Sequence, residues 1–154
     1  MKTKYKQIAL TIVLGFASVV TSKAILGETP EECAVRYGAP TKTLENETVY
    51  KNGDFEYKIT FYKGKADRII VKKPIPNDFK TNPISDQEIQ GILLANSKGA
   101  TWKEITTEKK NEKKWETENK RLTAGYTIGN GFYPLIISTA EGLERYIQKL
   151  INGS

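Results

Sequence analysis

Residues 55–62 alternate between two kinds of side chain: Phe55, Tyr57, Ile59 and Phe61 on one side, Glu56, Lys58, Thr60 and Tyr62 on the other. A period of two is that of a strand with one buried face. Asn52-Gly53 before the run and Lys63-Gly64 after it are hairpin dipeptides. They predict partner strands near 47–51 and 66–73, and so a three-stranded antiparallel meander. Ahead of it, Thr29-Pro30-Glu31-Glu32 supplies a capping threonine, a proline for the first helical position and a glutamate three residues past the cap. That is a capping box opening a short helix, which Gly38 and Pro40 end.

The same order returns further along. Residues 74–83 hold three prolines and read as a connector, because proline cannot donate to a ladder and restrains the residue before it. Ser85 and Glu88 form a second capping box, Ile89, Ile92 and Leu93 share one helical face, and Asn96 to Gly99 supply the stop. Extended stretches are expected around Trp115, over Arg121–Ile128 and over Phe132–Ser138, the last two joined by Gly129-Asn130-Gly131. The chain closes on Leu143, Tyr146, Ile147, Leu150 and Ile151 at i, i+3, i+4, i+7 and i+8, capped by Ser138 or Thr139. This stripe is expected to pack on a sheet.

The predicted class is therefore α+β: antiparallel sheet or sheets built from two helix-plus-meander halves, 25–73 and 84–154, with a C-terminal amphipathic helix. No residue-level repeat accompanies the halves. The expected core comprises Phe55, Tyr57, Ile59, Phe61, Ile69, Val71, Ile89, Ile92, Leu93, Leu122, Tyr126, Leu135, Ile137, Leu143, Ile147, Leu150 and Ile151.

Residues 1–24 change how the charge is read. Three lysines precede the 13-residue apolar run Ile8–Val20, and Thr21-Ser22-Lys23-Ala24 ends in small residues where a signal peptidase reads, which is the pattern of a secretory signal peptide. The run is shorter than the ~20 residues a membrane span needs, and no cysteine follows it directly to carry a lipid. Residues 25–154 are then a single exported domain, periplasmic or extracellular, without a stable membrane anchor after cleavage. The formal charge is +6 from 24 basic and 18 acidic residues. Removing Lys2, Lys4, Lys6 and Lys23 leaves 20 basic against 18 acidic, a balance that gives no reason to expect nucleic acid as a partner.

The absence of histidine removes imidazole-based triads, Cys-His dyads and His-ligated zinc. Cys33, the one cysteine, cannot form an internal disulfide; it reads as a buried apolar residue in the first helix, or as one half of a bond to another chain. Residues 101–121 hold seven basic side chains around Trp102 and Trp115 but also five glutamates. Such mixed charge marks a solvated loop or strand edge. Trp102, Trp115, Tyr126 and Tyr133 are a candidate binding surface for a peptide or sugar, with a place in the core as the other reading. Gly129-Asn130-Gly131 lacks the Lys-Ser/Thr of a phosphate loop. No catalytic pair, cofactor or metal site is expected.

The stretch Thr29 to Pro40, placed after a signal peptide and followed by Phe-x-Tyr-x-Ile-x-Phe and then Trp102, resembles small uncharacterised exported bacterial proteins. Its short helix ending in Tyr37-Gly38-x-Pro40 ahead of a meander is also similar to small envelope lipoproteins of the SmpA/OmlA type and to the β-lactamase-inhibitor-like fold. The likeness spans about 45 residues and departs from the lipoproteins in lacking a lipobox cysteine. It implies a scaffold or protein-binding role. The expected function is an exported, non-catalytic binding or scaffold module whose partner is another envelope or secreted protein. The alternative is a secreted carboxylate-based hydrolase or glycan-binding accessory domain.

Overall fold

Both capping boxes form. In α1 (Pro30–Tyr37) the Thr29 hydroxyl accepts from the Glu32 amide while the Glu32 carboxylate accepts from the Thr29 amide, and Gly38, at φ +83°, turns the chain out of the helix. In α2 (Asp86–Asn96) Ser85 and Glu88 repeat the exchange, and Lys73 adds an ion pair to Glu88 at 2.8 Å. The helix start is thereby tied to the end of a strand. Ser85→Ala is expected to lower stability by about 0.5–2 kcal/mol, read from the shift of a urea midpoint.

The computed structural model describes residues 25–75, 82–129 and 133–153. The leader, the middle of the Pro74–Pro83 connector and the Asn130-Gly131 part of the expected turn lie outside these residues. Eight strands follow the helices: β1 (Lys42–Leu44), β2 (Glu47–Asn52), β3 (Phe55–Tyr62) and β4 (Lys65–Lys72) after α1, then β5 (Trp102–Ile105), β6 (Glu112–Thr117), β7 (Leu122–Thr127) and β8 (Leu135–Thr139) after α2. The helix α3 (Ala140–Asn152) closes the chain. The class is α+β as expected, with each half a helix followed by four antiparallel strands.

All eight strands belong to one sheet in the order β1-β2-β3-β4-β8-β7-β6-β5. The two meanders meet through their final strands, with Ile69 opposite Ile137 and Val71 opposite Leu135. At the β3–β4 turn Lys63 and Gly64 both take positive φ, 50° and 73°, as a tight hairpin matched to sheet twist requires.

The register divides the side chains into two faces. Tyr50, Tyr57, Ile59, Ile69, Val71, Leu135, Ile137, Ala124, Tyr126 and Trp115 share the face that α1 and α2 cover. There Tyr37 stacks on Tyr57 with ring centroids 5.0 Å apart, and Ile89, Ile92 and Leu93 are buried. The expected core is found along these strands and α2. It fails at the C-terminus: Ile147, Leu150 and Ile151 are 44%, 65% and 70% exposed, and Leu143 is half-buried.

The cause lies in how α3 is seated. Thr139 caps it through the Gly142 amide at 2.9 Å. A side chain at position 142 would meet the Asp67 carbonyl at 2.7 Å, so only glycine allows this approach. Arg145 then pairs with Asp67 at 2.5 Å, and Tyr146 receives Arg68. These attachments in the first two turns hold the helix by polar and stacking contacts. Its later turns carry the apolar stripe onward without cover.

Candidate interaction surface

The four aromatics considered as a platform do not form one. Trp115 and Tyr126 are 4% and 2% exposed, and Trp102 and Tyr133 pack half-buried against the same core. Their polar atoms fasten sheet to helices. Trp102 Nε1 donates to the Leu93 carbonyl of α2 at 2.7 Å, and the Tyr126 hydroxyl donates to the Ile84 carbonyl just ahead of α2 at 3.2 Å. On the first half the Tyr50 hydroxyl donates to the Pro30 carbonyl of α1 at 3.3 Å. A buried Tyr or Trp usually finds such a partner, and at these three positions the partner fixes a helix.

Cys33 is fully buried. Burial, with the Glu28 carboxylate beside it, pushes its thiol up to about 12, which keeps it protonated where a nucleophile would have to be a thiolate. Arg36 binds Glu28 from the other side. The native protein at pH 8 is expected to react with a disulfide reagent only as it opens, and at once in urea. Because the unfolded thiol loses its proton first, stability should fall as pH rises above about 9.

Among the described residues the carboxylates give no acid–base pair. Glu32 is held below the ordinary range, first by the Thr29 amide. At Glu88 burial acts upward, but the Lys73 ammonium and the Ser85 donors outweigh it and the net shift is downward. Both belong to caps. A hollow of about 430 Å³ beyond β5 is lined by Glu104, Ile105, Thr106, Thr107, Lys109 and Glu112. Glu112 already faces Lys114 at 3.3 Å, and Thr107 donates to the backbone of the same loop. Among the described residues no cluster of metal-ligating side chains occurs, and no helix is long and apolar enough to cross a membrane.

What the structure leaves open is the other face of the sheet. Cross-strand rows can be read directly from the register: one runs Val49, Lys58, Ile70, Ile136, Gly125, Lys114, and the next runs Glu47, Thr60, Arg68, Ser138, Thr123, Glu116. Lys58–Glu47, Lys72–Glu56 and Lys114–Glu112 are ion pairs within this face. Ile70 and Ile136 lie half-buried between them, beside Gly125, where an added side chain would meet nothing within 4 Å. α3 stands over the β4–β8 part, since its Tyr146 ring lies 3.5 Å from the Arg68 guanidinium. Arg145 in turn lies 3.7 Å from the Tyr62 ring. A shallow apolar strip on the sheet and the bare stripe of α3 therefore occupy one side of the molecule. Sequence reasoning found the stripe and assigned it to the core, because periodicity reports an apolar face and not what covers it.

Comparison with known proteins adds little to this geometry. No family model and no curated protein matches the chain. Among solved structures it is similar to a cysteine-rich secretory protein from Staphylococcus aureus subsp. aureus Mu50, at 10% identity and a TM-score of 0.40. The match covers 75% of this chain and 45% of that one, so the chain spans less than half of its neighbour. A likeness of this size carries no argument about function.

Proposed function

We propose that the protein is an exported, non-catalytic binding module that presents its open sheet face and α3 to another envelope or secreted protein. One observation carries the reading: Ile147, Leu150 and Ile151 stand exposed in a row on a helix whose first turns are fixed to the sheet. Contiguous apolar surface of this kind marks interaction sites, and an amphipathic helix offers anchors at i, i+3/i+4 and i+7. The leader pattern supports export. The glycan-binding alternative has lost its platform, since its aromatics lie in or against the core.

The test places a photo-crosslinking amino acid at Ile147, at Leu150 and, as control, at exposed Lys120, expresses the full-length chain in its native host and identifies products by mass spectrometry. One stoichiometric exported protein joined from Ile147 and Leu150 but not from Lys120 is expected. Equal labelling from all three positions would defeat the reading. Ile147→Asp is expected to leave the melting transition within about 0.5 kcal/mol of the parent, as surface substitutions do, while abolishing that crosslink. If it unfolds the domain instead, α3 is docked more deeply than its exposure indicates.

A further inference from the structure

We propose that Arg68 is the recognition point for a carboxylate on the partner, whose neighbouring aliphatic side chains lie on Ile70, Ile136 and the α3 stripe. This rests on the binding-module reading above and names the chemistry of the segment that occupies the surface. Arg68 lies at the inner edge of the apolar strip, one row from Ile70 and Ile136 and under Tyr146. Most charges around it are matched within the face, by the pairs at Lys58, Lys72 and Lys114. Arg68 is not: among the described residues its guanidinium has the Tyr146 ring and no acid, and its Nε–H is buried without an acceptor. Ser138, its direct cross-strand partner, is 2% exposed, and its hydroxyl also has no partner.

Asp67, the residue before Arg68, is committed elsewhere: its Oδ2 pairs with Arg145, while its Oδ1 is buried without a donor. The cluster beneath α3 thus sets two guanidiniums against one carboxylate. A planar fork stacked on an aromatic ring is prearranged for bidentate carboxylate binding, and an arginine beside apolar anchors is the usual make-up of an interface hot spot. The charge also selects the occupant. Among the described residues on the strands of this face, Lys42, Lys51 and Arg68 have no ion pair and Glu116 is the unpaired acid, so the same strands of a second copy bring the same surplus cations, whereas an acidic, aliphatic segment complements them.

The inference is tested by NMR on the labelled chain, titrated with N-acetyl-L-leucine and, in parallel, with N-acetyl-L-leucinamide, which has the same side chain without the carboxylate. The acid should shift the Arg68 side-chain N–H and the Ile70 and Ile136 methyls saturably. The amide should leave the Arg68 signal in place. Arg68→Gln should abolish the acid-dependent shifts of the Ile70 and Ile136 methyls, while Tyr146→Leu, which removes the ring and keeps the guanidinium, should retain them. Against the crosslinked partner, Arg68→Gln should weaken binding about tenfold or more, with the melting temperature recorded on the same variant. Equal shifts from acid and amide, or partner affinity unchanged in Arg68→Gln, would overturn the carboxylate assignment and leave the binding-module reading standing. Carboxylate-dependent shifts at Arg68 with no crosslink from Ile147 or Leu150 would sink that reading instead. Dimerisation abolished by Ile147→Asp would make a second copy the occupant and overturn the proposal.

Discussion

Ile69→Ala is expected to lower the unfolding free energy by about 2–5 kcal/mol, a large part of what a domain of this size possesses. Ile69 is fully buried and lies opposite Ile137, also fully buried, at the seam where β4 meets β8. Deleting three carbons there removes their transfer free energy and leaves a void under two helices that cannot collapse into it. Ile137→Ala should cost a similar amount. The double substitution should depart from the sum, because both openings merge into one cavity. Urea unfolding followed by tryptophan fluorescence measures all four proteins. Strict additivity would mean that the seam is not closed by this pair.

Asn96 should be the polar side chain whose replacement costs most, by alanine and still more by aspartate. Asn96 is completely buried at the end of α2; its Oδ1 accepts from the Leu26 amide at 2.9 Å, and its Nδ2 donates to the Ile92 carbonyl at 2.9 Å. Alanine leaves the Leu26 amide buried and unpaired, a loss of about 1–3 kcal/mol, with a cavity added. Asn96→Asp should be worse at neutral pH, since it keeps the acceptor but buries a charge. Calorimetry gives the ranking, and hydrogen exchange at Leu26 gives the mechanism, because that amide should become unprotected in Asn96→Ala, which alone removes its acceptor. If exchange at Leu26 stays slow, some other contact holds this segment.

The two capped helices and the first meander were legible in the sequence because their signals are local. A cap, its glutamate and the dipeptide of a turn lie within a few residues of each other. β1 and β5 carried no such signal. Lys42–Leu44 is exposed throughout, and Trp102–Ile105 sits inside a mixed-charge segment that reads as an edge, which is what β5 is. That the two meanders share one sheet depends on Ile69 finding Ile137 across the intervening half of the chain, and no short-range pattern records such a pairing. The candidate surface was legible in part. Ile147, Leu150 and Ile151 announced an apolar face, but their exposure follows from Gly142, Arg145 and Tyr146 fixing the helix by its first turns, and only coordinates show that. The aromatics misled for the opposite reason: Trp102 and Tyr126 are amphipathic side chains whose polar atoms bond helix carbonyls inside the fold.

The strand order also bears on how a growing or shortened chain behaves. β4 is finished at Lys72, yet the strand that covers its free side begins at Leu135. For the 62 residues between, Ile69, Ile70 and Val71 border an unpaired ladder of amides and carbonyls. An open apolar edge of that length invites pairing with other chains, and closing it demands a contact of long sequence separation, which is slow to form. Nascent chains that stop before Leu135 should therefore aggregate rather than fold as half-domains, and the last 20 of the 154 residues are what makes the first half safe.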